Sequence, residues 1–290
     1  MKFKVKPLAF DSLGVRSTAT LVEVCGYRVL VDPGVSYAPR RYGLPPHPLE
    51  LEKVEKLRSI VHDEALKSDI LVISHYHYDH YDPKGDFYSD KLVLLKHPLE
   101  NINFSQKGRA HAFLKYNESI KNAHVEYADS KEFKIDEELS VKFSPPIPHG
   151  PQGSKLGFVI MTVISCGDFK FIHTSDVQGP MTDTGLDFIM RENPDLIFIG
   201  GPPTYMEKWR VDIEHIEKAI NNLTSILSNV KAKVIVLDHH TLRDLNYKDR
   251  LKSLYDKARS LSKRLITAAE YLGVPVEPLE AMRKKLWGKE

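Results

Sequence analysis

Cysteine is almost missing from this chain: Cys25 and Cys166 are the only two in 290 residues. A small scaffold held by several disulfides is therefore excluded. Each cysteine lies in an apolar, strand-like context, which predicts two buried thiols in a reducing compartment rather than a bridge. Long apolar runs are missing as well. No stretch approaches the roughly 20 apolar residues of a membrane span. The opening "MKFKVKPLAFDSLG" alternates charged and apolar residues as a strand does, without the apolar run of a secretory signal. A cytoplasmic protein with no membrane partner is expected. Excess charge is the third thing lacking: 41 Lys and Arg stand against 39 Asp and Glu, a formal net charge of +2. Global charge therefore demands neither a nucleic-acid nor a membrane partner. Low-complexity tracts and short-period repeats are also missing. With 42% hydrophobic residues the length suffices for a substantial core. The expectation is one domain over 1–290, with a charged helical region at about 246–287.

What is present reads as strands first and then strands alternating with helices. "TATLVEVCGYRVLVDPG" reads as a hairpin turning at Cys25-Gly26 and closing on a proline–glycine turn at 32–34. A proline-rich loop follows at 38–50. The stretch 51–67 has helical spacing, with Leu51, Val54, Leu57 and Val61 on one face. Short apolar strands are expected at "SDILVIS" and "KLVLLKHP", then helix and loop over 99–124. A second hairpin turns at Cys166-Gly167-Asp168. The strand "PDLIFIGG", a helix at about 212–229 and the strand "KAKVIVLDHH" complete the core. Polar constellations stand at strand ends, which predicts a layered α/β architecture.

The densest of these is "ISHYHYDHYDP", residues 73–83, with three histidines and two aspartates in eleven positions. Buried without partners, such groups are costly. His75 and His77, two apart, share a face in extended chain, and a loop can aim Asp79 and His80 at a second centre. Imidazole and carboxylate suit zinc, and also iron or manganese. Alone, His-x-His after a strand reads more readily as an exposed polar loop. The full string His-x-His-x-Asp-His resembles the signature of the metallo-β-lactamase fold superfamily. The segments "VLVDPG", "ISHYHYDH", "PIPHGPQG", "IHTSD" and "VIVLDHH" follow the superfamily's order along most of the chain.

The resemblance implies a four-layer αββα sandwich with two metal ions, zinc first, at one edge between the sheets. One site would take His75, His77 and His149. The other would take Asp79, His80 and His239 or His240, with Asp176 bridging. "LDHHTLR" resembles the His-x-Ser/Thr-x-Arg ending of tRNA-maturation endonucleases of the superfamily, where the first histidine is the ligand. That places His239 on the metal and leaves His240 for substrate contact, acid–base work or a merely polar role. Asp32 and Asp238 are positioned to orient imidazoles. The remaining histidines (His47, His62, His97, His111, His124, His173 and His215) are expected to be structural or exposed. Tyr76 and Tyr78 are expected to point away from the metals and pack.

The implied chemistry is hydrolysis by a hydroxide held between two metals, with Asp79 orienting it. A true β-lactamase is disfavoured by His80 and by an aspartate, rather than a cysteine, at the second site. The pattern is the Asp-bridged one, in a branch expected to be archaeal. Phosphodiester substrates are the leading expectation. The stretch 243–264 holds eight Lys and Arg against three acidic residues, and a basic helix can track phosphates, although a solvated face is commoner. Thioesters and lactones are the alternative, and a non-catalytic metal- or nucleic-acid-binding protein the second. "GGPPTY", 200–205, is expected to be a rigid turn or the rim of the site.

Overall fold

The computed structural model describes residues 3–207 and 211–289. The first half runs β1 (Lys4–Phe10), β2 (Thr18–Val24), β3 (Tyr27–Val31), α1 (Pro48–Leu66), β4 (Ile70–Ile73) and β5 (Leu92–Leu95). It ends with α2 (Phe104–Tyr116), α3 (Glu118–Lys121) and β6 (His124–Tyr127). These strands form one sheet in sequence order, antiparallel from β1 to β3 and parallel from β3 to β6. The second half opens with β7 (Glu132–Lys134), β8 (Leu139–Phe143) and a ribbon of β9 (Ile147–Pro148) with β10 (Phe158–Val159). There follow β11 (Thr162–Cys166), β12 (Phe169–His173), α4 (Asp183–Glu192), β13 (Leu196–Gly200), α5 (Ile213–Asn229) and β14 (Val234–Asp238). The last elements are α6 (Tyr247–Arg250), α7 (Lys252–Ser260), β15 (Arg264–Ile266), α8 (Ala268–Leu272) and α9 (Arg283–Leu286). The second sheet has the order β7-β8-β11-β12-β13-β14-β15, antiparallel as far as β12 and parallel beyond it.

Strand alternation explains the layers. Leu21, Leu30 and Leu71 face outward from the first sheet and pack with Val54, Leu57 and Val61 of α1 and Phe113 of α2. Their neighbours Val22, Val29, Val31 and Val72 face inward, against Val141, Phe171, Phe198 and Val236 of the second sheet. The outer face of that sheet, with Ile172, Ile197 and Ile235, is covered by Phe188 of α4, Ile226 of α5 and Leu254 of α7. Three apolar layers between four structural ones make the expected αββα sandwich. Helix α1 begins at a capping box, His47 accepting from the Leu49 amide and Glu50 reaching back, with proline at its first position. Leu51, expected on the buried stripe, is 38% exposed, and Ala65 extends the stripe instead.

Both hairpins turn on a Cys-Gly pair, and they lie opposite one another across the sandwich. The structure joins Cys25 and Cys166 in a disulfide, with Cα atoms 6.4 Å apart. The expectation of two free thiols is thus corrected. Each hairpin is legible by itself, but their apposition depends on how two sheets stack. The C-terminal region also differs from the expected mostly helical one. The predicted basic helix breaks at Leu251, and β15 adds an edge strand beside β14. Its cations are largely engaged: Arg250 with Glu207 and Asp244, Lys252 and Arg259 with Asp256, and Lys248 with Glu270. Among the described residues no helix is long and apolar enough to cross a membrane.

Candidate metal centre

Parallel strands of the two sheets end side by side, and the titratable residues are emitted there. Asp32 follows β3, Ser74 and His75 follow β4, Ser175 and Asp176 follow β12, and His239 follows β14. The "DPG" turn works differently from the expected one. Asp32 itself takes the left-handed conformation, φ +53°. Gly34 is needed for room: a Cβ there would lie 2.2 Å from the Tyr81 nitrogen and 2.5 Å from that of His80. The glycine thus lets the β3 turn press against the histidine loop. A second close approach locks the other wall, where a Cβ on Gly201 would fall 1.9 Å from Thr241 Oγ1. The "GGPPTY" turn thus packs tightly on the segment that follows β14, and its Tyr205 hydroxyl lies 3.5 Å from His240 Nδ1.

All seven expected donors converge. His75, His77, His149 and Asp176 form one group, and Asp79, His80 and His239 another. Asp176 stands between them, its Oδ2 2.9 Å from His149 Nε2 and its Oδ1 3.0 Å from His239 Nε2. His80 Nε2 is 3.4 Å from Asp176 Oδ2, and His239 Nε2 is 3.7 Å from Asp79 Oδ2. His75 Nε2 and His77 Nδ1 are 3.0 Å apart. His240 Nε2 also lies 3.4 Å from Asp176 Oδ2. His75, His80, Asp176 and His239 are almost wholly buried, whereas His77 and Asp79 keep partial exposure. The centre opens on that side.

The imidazoles of His75, His80, His149 and His239 each meet a partner on the far nitrogen. His80 Nδ1 donates to Asp32 Oδ2 at 2.8 Å, and Asp32 is fixed in turn by the Ser74 amide and hydroxyl, each 2.8 Å away. Asp32 thus holds the orienting position that the sequence suggests. Asp238 does not. Its carboxylate accepts from the backbone amides of Ser12, His239 and Ala268, so it fixes a turn rather than a ring. The partner of His239 is Asp11, 2.6 Å from Nδ1 and held by Arg243 Nε at 2.7 Å. Asp11 lies 228 residues from His239, and no motif marks it. Arg243 sits in the quoted "HHTLR" string, without a role until the structure places it. Ser74 Oγ lies 3.1 Å from His75 Nδ1, and the Gln178 amide 3.2 Å from His149 Nδ1.

This electrostatic arrangement suits cations. Burial first, and then neighbouring imidazoles, push His75 well below the usual histidine range. Burial and His149 push His77 down to about 3. For His239 burial works the same way, but Asp176 and Asp11 outweigh it and lift the ring to about 9. Burial opposes ionisation of Asp176, and the surrounding histidines more than offset it, holding the carboxyl well below its usual range. His80 Nε2 and Asp176 Oδ1 are buried without a hydrogen-bond partner. Burial opposes protonation of His80, but Asp32 and Asp176 outweigh it and hold the ring well above the usual histidine range, so the neutral imidazoles gathered with Asp176 are those of His75 and His77. Buried lone pairs and a buried carboxylate facing one another fit a metal dication far better than they fit each other. His, Asp and the shared carboxylate suit zinc, iron or manganese.

His240 differs from His239. Burial and the nearby Arg243 charge push it down to about 3. Its Nδ1 meets Arg243 Nη1 at 3.3 Å and the Tyr205 hydroxyl at 3.5 Å. Outside the centre, His173 is buried beside the Thr18 carbonyl, His47 and His97 bond backbone amides, and His62 pairs with Asp86. His111 and His124 are exposed, and His215 is half-buried beside Asp212. Tyr76 packs as expected, its hydroxyl donating to the Lys96 carbonyl at 2.6 Å, but Tyr78 is 49% exposed.

Comparison with known proteins agrees with this geometry. A UPF0282 protein of Methanopyrus kandleri is 44% identical over 300 residues, spanning 99% of this chain and all of that one. The chain belongs to the UPF0282 family. The profile of the metallo-beta-lactamase superfamily matches residues 13–81 of this UPF0282 protein, from the end of the first strand through the histidine loop. CmlA, a diiron beta-hydroxylase from Streptomyces venezuelae, superposes with a TM-score of 0.56 at 12% identity, over 92% of this chain and 52% of that one. The isothiocyanate hydrolase from Delia radicum gut bacteria gives 0.53 at 14% identity, over 88% and 94%. At such identities the likeness is one of fold. The fold is that of the metallo-β-lactamases, and relatives of the chain are archaeal, as the sequence led one to expect.

Proposed function

We propose that this UPF0282 protein is a metal-dependent hydrolase of phosphodiesters. The observation that carries the reading is the shared Asp176, whose two oxygens each meet a histidine of a different donor group at 2.9 and 3.0 Å. His75, His77 and His149 would hold one ion, Asp79, His80 and His239 the other, with Asp176 between them. Two bound dications supply Lewis acidity and a water acidic enough to act as a nucleophile near neutral pH. Paired centres of this kind suit in-line displacement at phosphorus, because both the entering and the leaving oxygen need stabilisation.

The chain's own residues supply the rest. Asp79, whose side chain is 17% exposed, stands at the open side, so it can orient the nucleophile through the carboxylate oxygen not used as a ligand. His240 is neutral at physiological pH, which suits a hydrogen bond to a substrate oxygen rather than donation from an imidazolium. Arg243 holds Asp11 and approaches both His239 and His240. It therefore positions the two rings and adds a buried positive charge 3.7 Å from the Asp79 carboxylate.

The test is hydrolysis of bis(p-nitrophenyl) phosphate by protein loaded with zinc, manganese or iron. Turnover that is lost on chelation and falls at least a hundredfold in Asp79→Ala supports the reading. Two bound metals with hydrolysis of thioesters or lactones, and none of the phosphodiester, would replace it by acyl hydrolysis.

A further inference from the structure

Two clefts lie beside the candidate centre and meet at one loop. The first, of about 470 Å³, is walled by Tyr78, Tyr81 and Lys84 of the loop and by Arg109 and Tyr116 of α2. The second, of about 450 Å³, shares Tyr78, Tyr81 and Lys84 and adds Arg58 of α1. Tyr78 stands between His77 and Asp79, whose Cα atoms are each about 3.8 Å from its own along the chain. The clefts thus adjoin the centre through Tyr78, although no expected metal donor lines either of them.

Their chemistry is uniform. Tyr78 and Tyr116 are 49% and 67% exposed, large aromatic faces that no core explains. The Arg109 guanidinium lies over the Tyr78 ring, 4.7 Å from its centroid. Arg58 and Arg109 donate only to carbonyls, those of Val35 and Tyr76. Lys84, Arg58 and Arg109 have no carboxylate partner among the described residues, in contrast to the paired cations of the C-terminal helices. Three acids also line the clefts: Asp86 pairs with His62 and Glu118 with Lys121, while Asp82, among the described residues, accepts only from the Lys84 backbone amide. The Tyr81 hydroxyl, at the junction of both clefts, is buried without a hydrogen-bond partner. A buried phenol in that state is costly unless a ligand completes it.

We infer that the clefts on either side of loop 78–84 bind single-stranded nucleic acid, carrying the strand away from the scissile phosphodiester. Bases stack on Tyr78 and Tyr116. Phosphates lie along Arg109, Lys84 and Arg58, and the Tyr81 hydroxyl meets a polar atom of the nucleotide nearest the loop. Flat aromatics interleaved with unpaired cations are what a single strand requires, since every base has a face to stack and every phosphate a charge. The inference rests on the phosphodiester reading for its direction, and names the substrate class of that site.

The test uses metal-loaded protein and fluorescein-labelled, phosphorothioate-linked dodecathymidylate and dodecauridylate, with binding read by anisotropy. Wild type should bind at least one of them, more weakly as salt rises. The Tyr78→Ala/Arg109→Ala double variant, with unchanged circular dichroism and metal content, should bind it about tenfold less tightly. Its kcat/KM for the unmodified oligonucleotide, relative to that for bis(p-nitrophenyl) phosphate, should fall by a similar factor. Equal affinities for wild type and double variant would overturn the inference. So would hydrolysis of bis(p-nitrophenyl) phosphate by a wild-type protein that binds neither oligonucleotide, and the hydrolase reading would then stand alone. Binding that is lost in the double variant, in a protein with no phosphodiesterase activity, would uphold the clefts and remove the hydrolase reading.

Discussion

Asp11 and Asp32 occupy matched posts, one behind His239 and the other behind His80, each at hydrogen-bond distance from the ring nitrogen that faces away from Asp176. A carboxylate there fixes the tautomer and sharpens the donor, and its loss typically costs ten- to a hundredfold in metal affinity. Asp11→Asn is therefore expected to weaken one of the two ions by about that factor and to leave the other nearly unchanged. Competition with a chromophoric chelator would resolve the two. The proton balance gives a second expectation. With its value lifted to about 9, His239 in the metal-free protein carries a proton at neutral pH that an ion must displace. Affinity should rise as pH increases from about 6 to 8.5 and fall on acidification. A flat profile over that window would show that the ring is not a ligand.

At the scale of elements, the two hairpins deserve comparison because the disulfide joins their tips. Closing a loop of 141 residues restricts the unfolded chain strongly, and the typical gain is about 2–4 kcal/mol. The Cys25→Ser/Cys166→Ser protein should lose stability in that range in denaturant titrations and keep its metal content, since the bond lies at the turns of hairpins whose other ends lead to Asp32 and Asp176. Loss of metal would mean that the sheets shift without the bond. These elements also show what the sequence discloses. The hairpins, the strand at 70–73 and the helices at 48–66 and 213–229 are legible because periodicity and turn residues are local signals. So are the residues that gather at the centre, which lie in short strings at strand ends, whereas both His239 and His240 approach Asp176 and only "HHTLR" favours the first. The disulfide, Asp11 and β15 are not legible. The first two join residues brought together only by the stacking of two sheets, and a three-residue edge strand has no period to read.

On the scale of the whole molecule, the chain's last segment fastens the proline-rich loop that follows β3. Arg283 is fully buried, donating to Glu50 at 2.7 and 2.8 Å and to the carbonyls of Ala38 and Leu44. Glu280 binds Arg16 at 2.7 Å, and Trp287 donates to the Pro45 carbonyl. That loop carries Arg41, whose guanidinium lies over the ring of Tyr205 beside His240. Removing one member of a buried pair leaves the other charge stranded, a cost of about 3–5 kcal/mol. Arg283→Met should therefore lower stability by that order, visible as a reduced midpoint in thermal unfolding. A change below about 1 kcal/mol would show that the segment is not part of the cooperative fold.

The central claim is that two metal ions share Asp176, and elemental analysis tests it most directly. Wild-type protein and Asp176→Ala would be loaded with zinc, desalted and measured per chain. About two ions in the wild type and fewer than one in Asp176→Ala is the predicted result. One ion or none in a folded wild type, or two ions retained by Asp176→Ala, would contradict it.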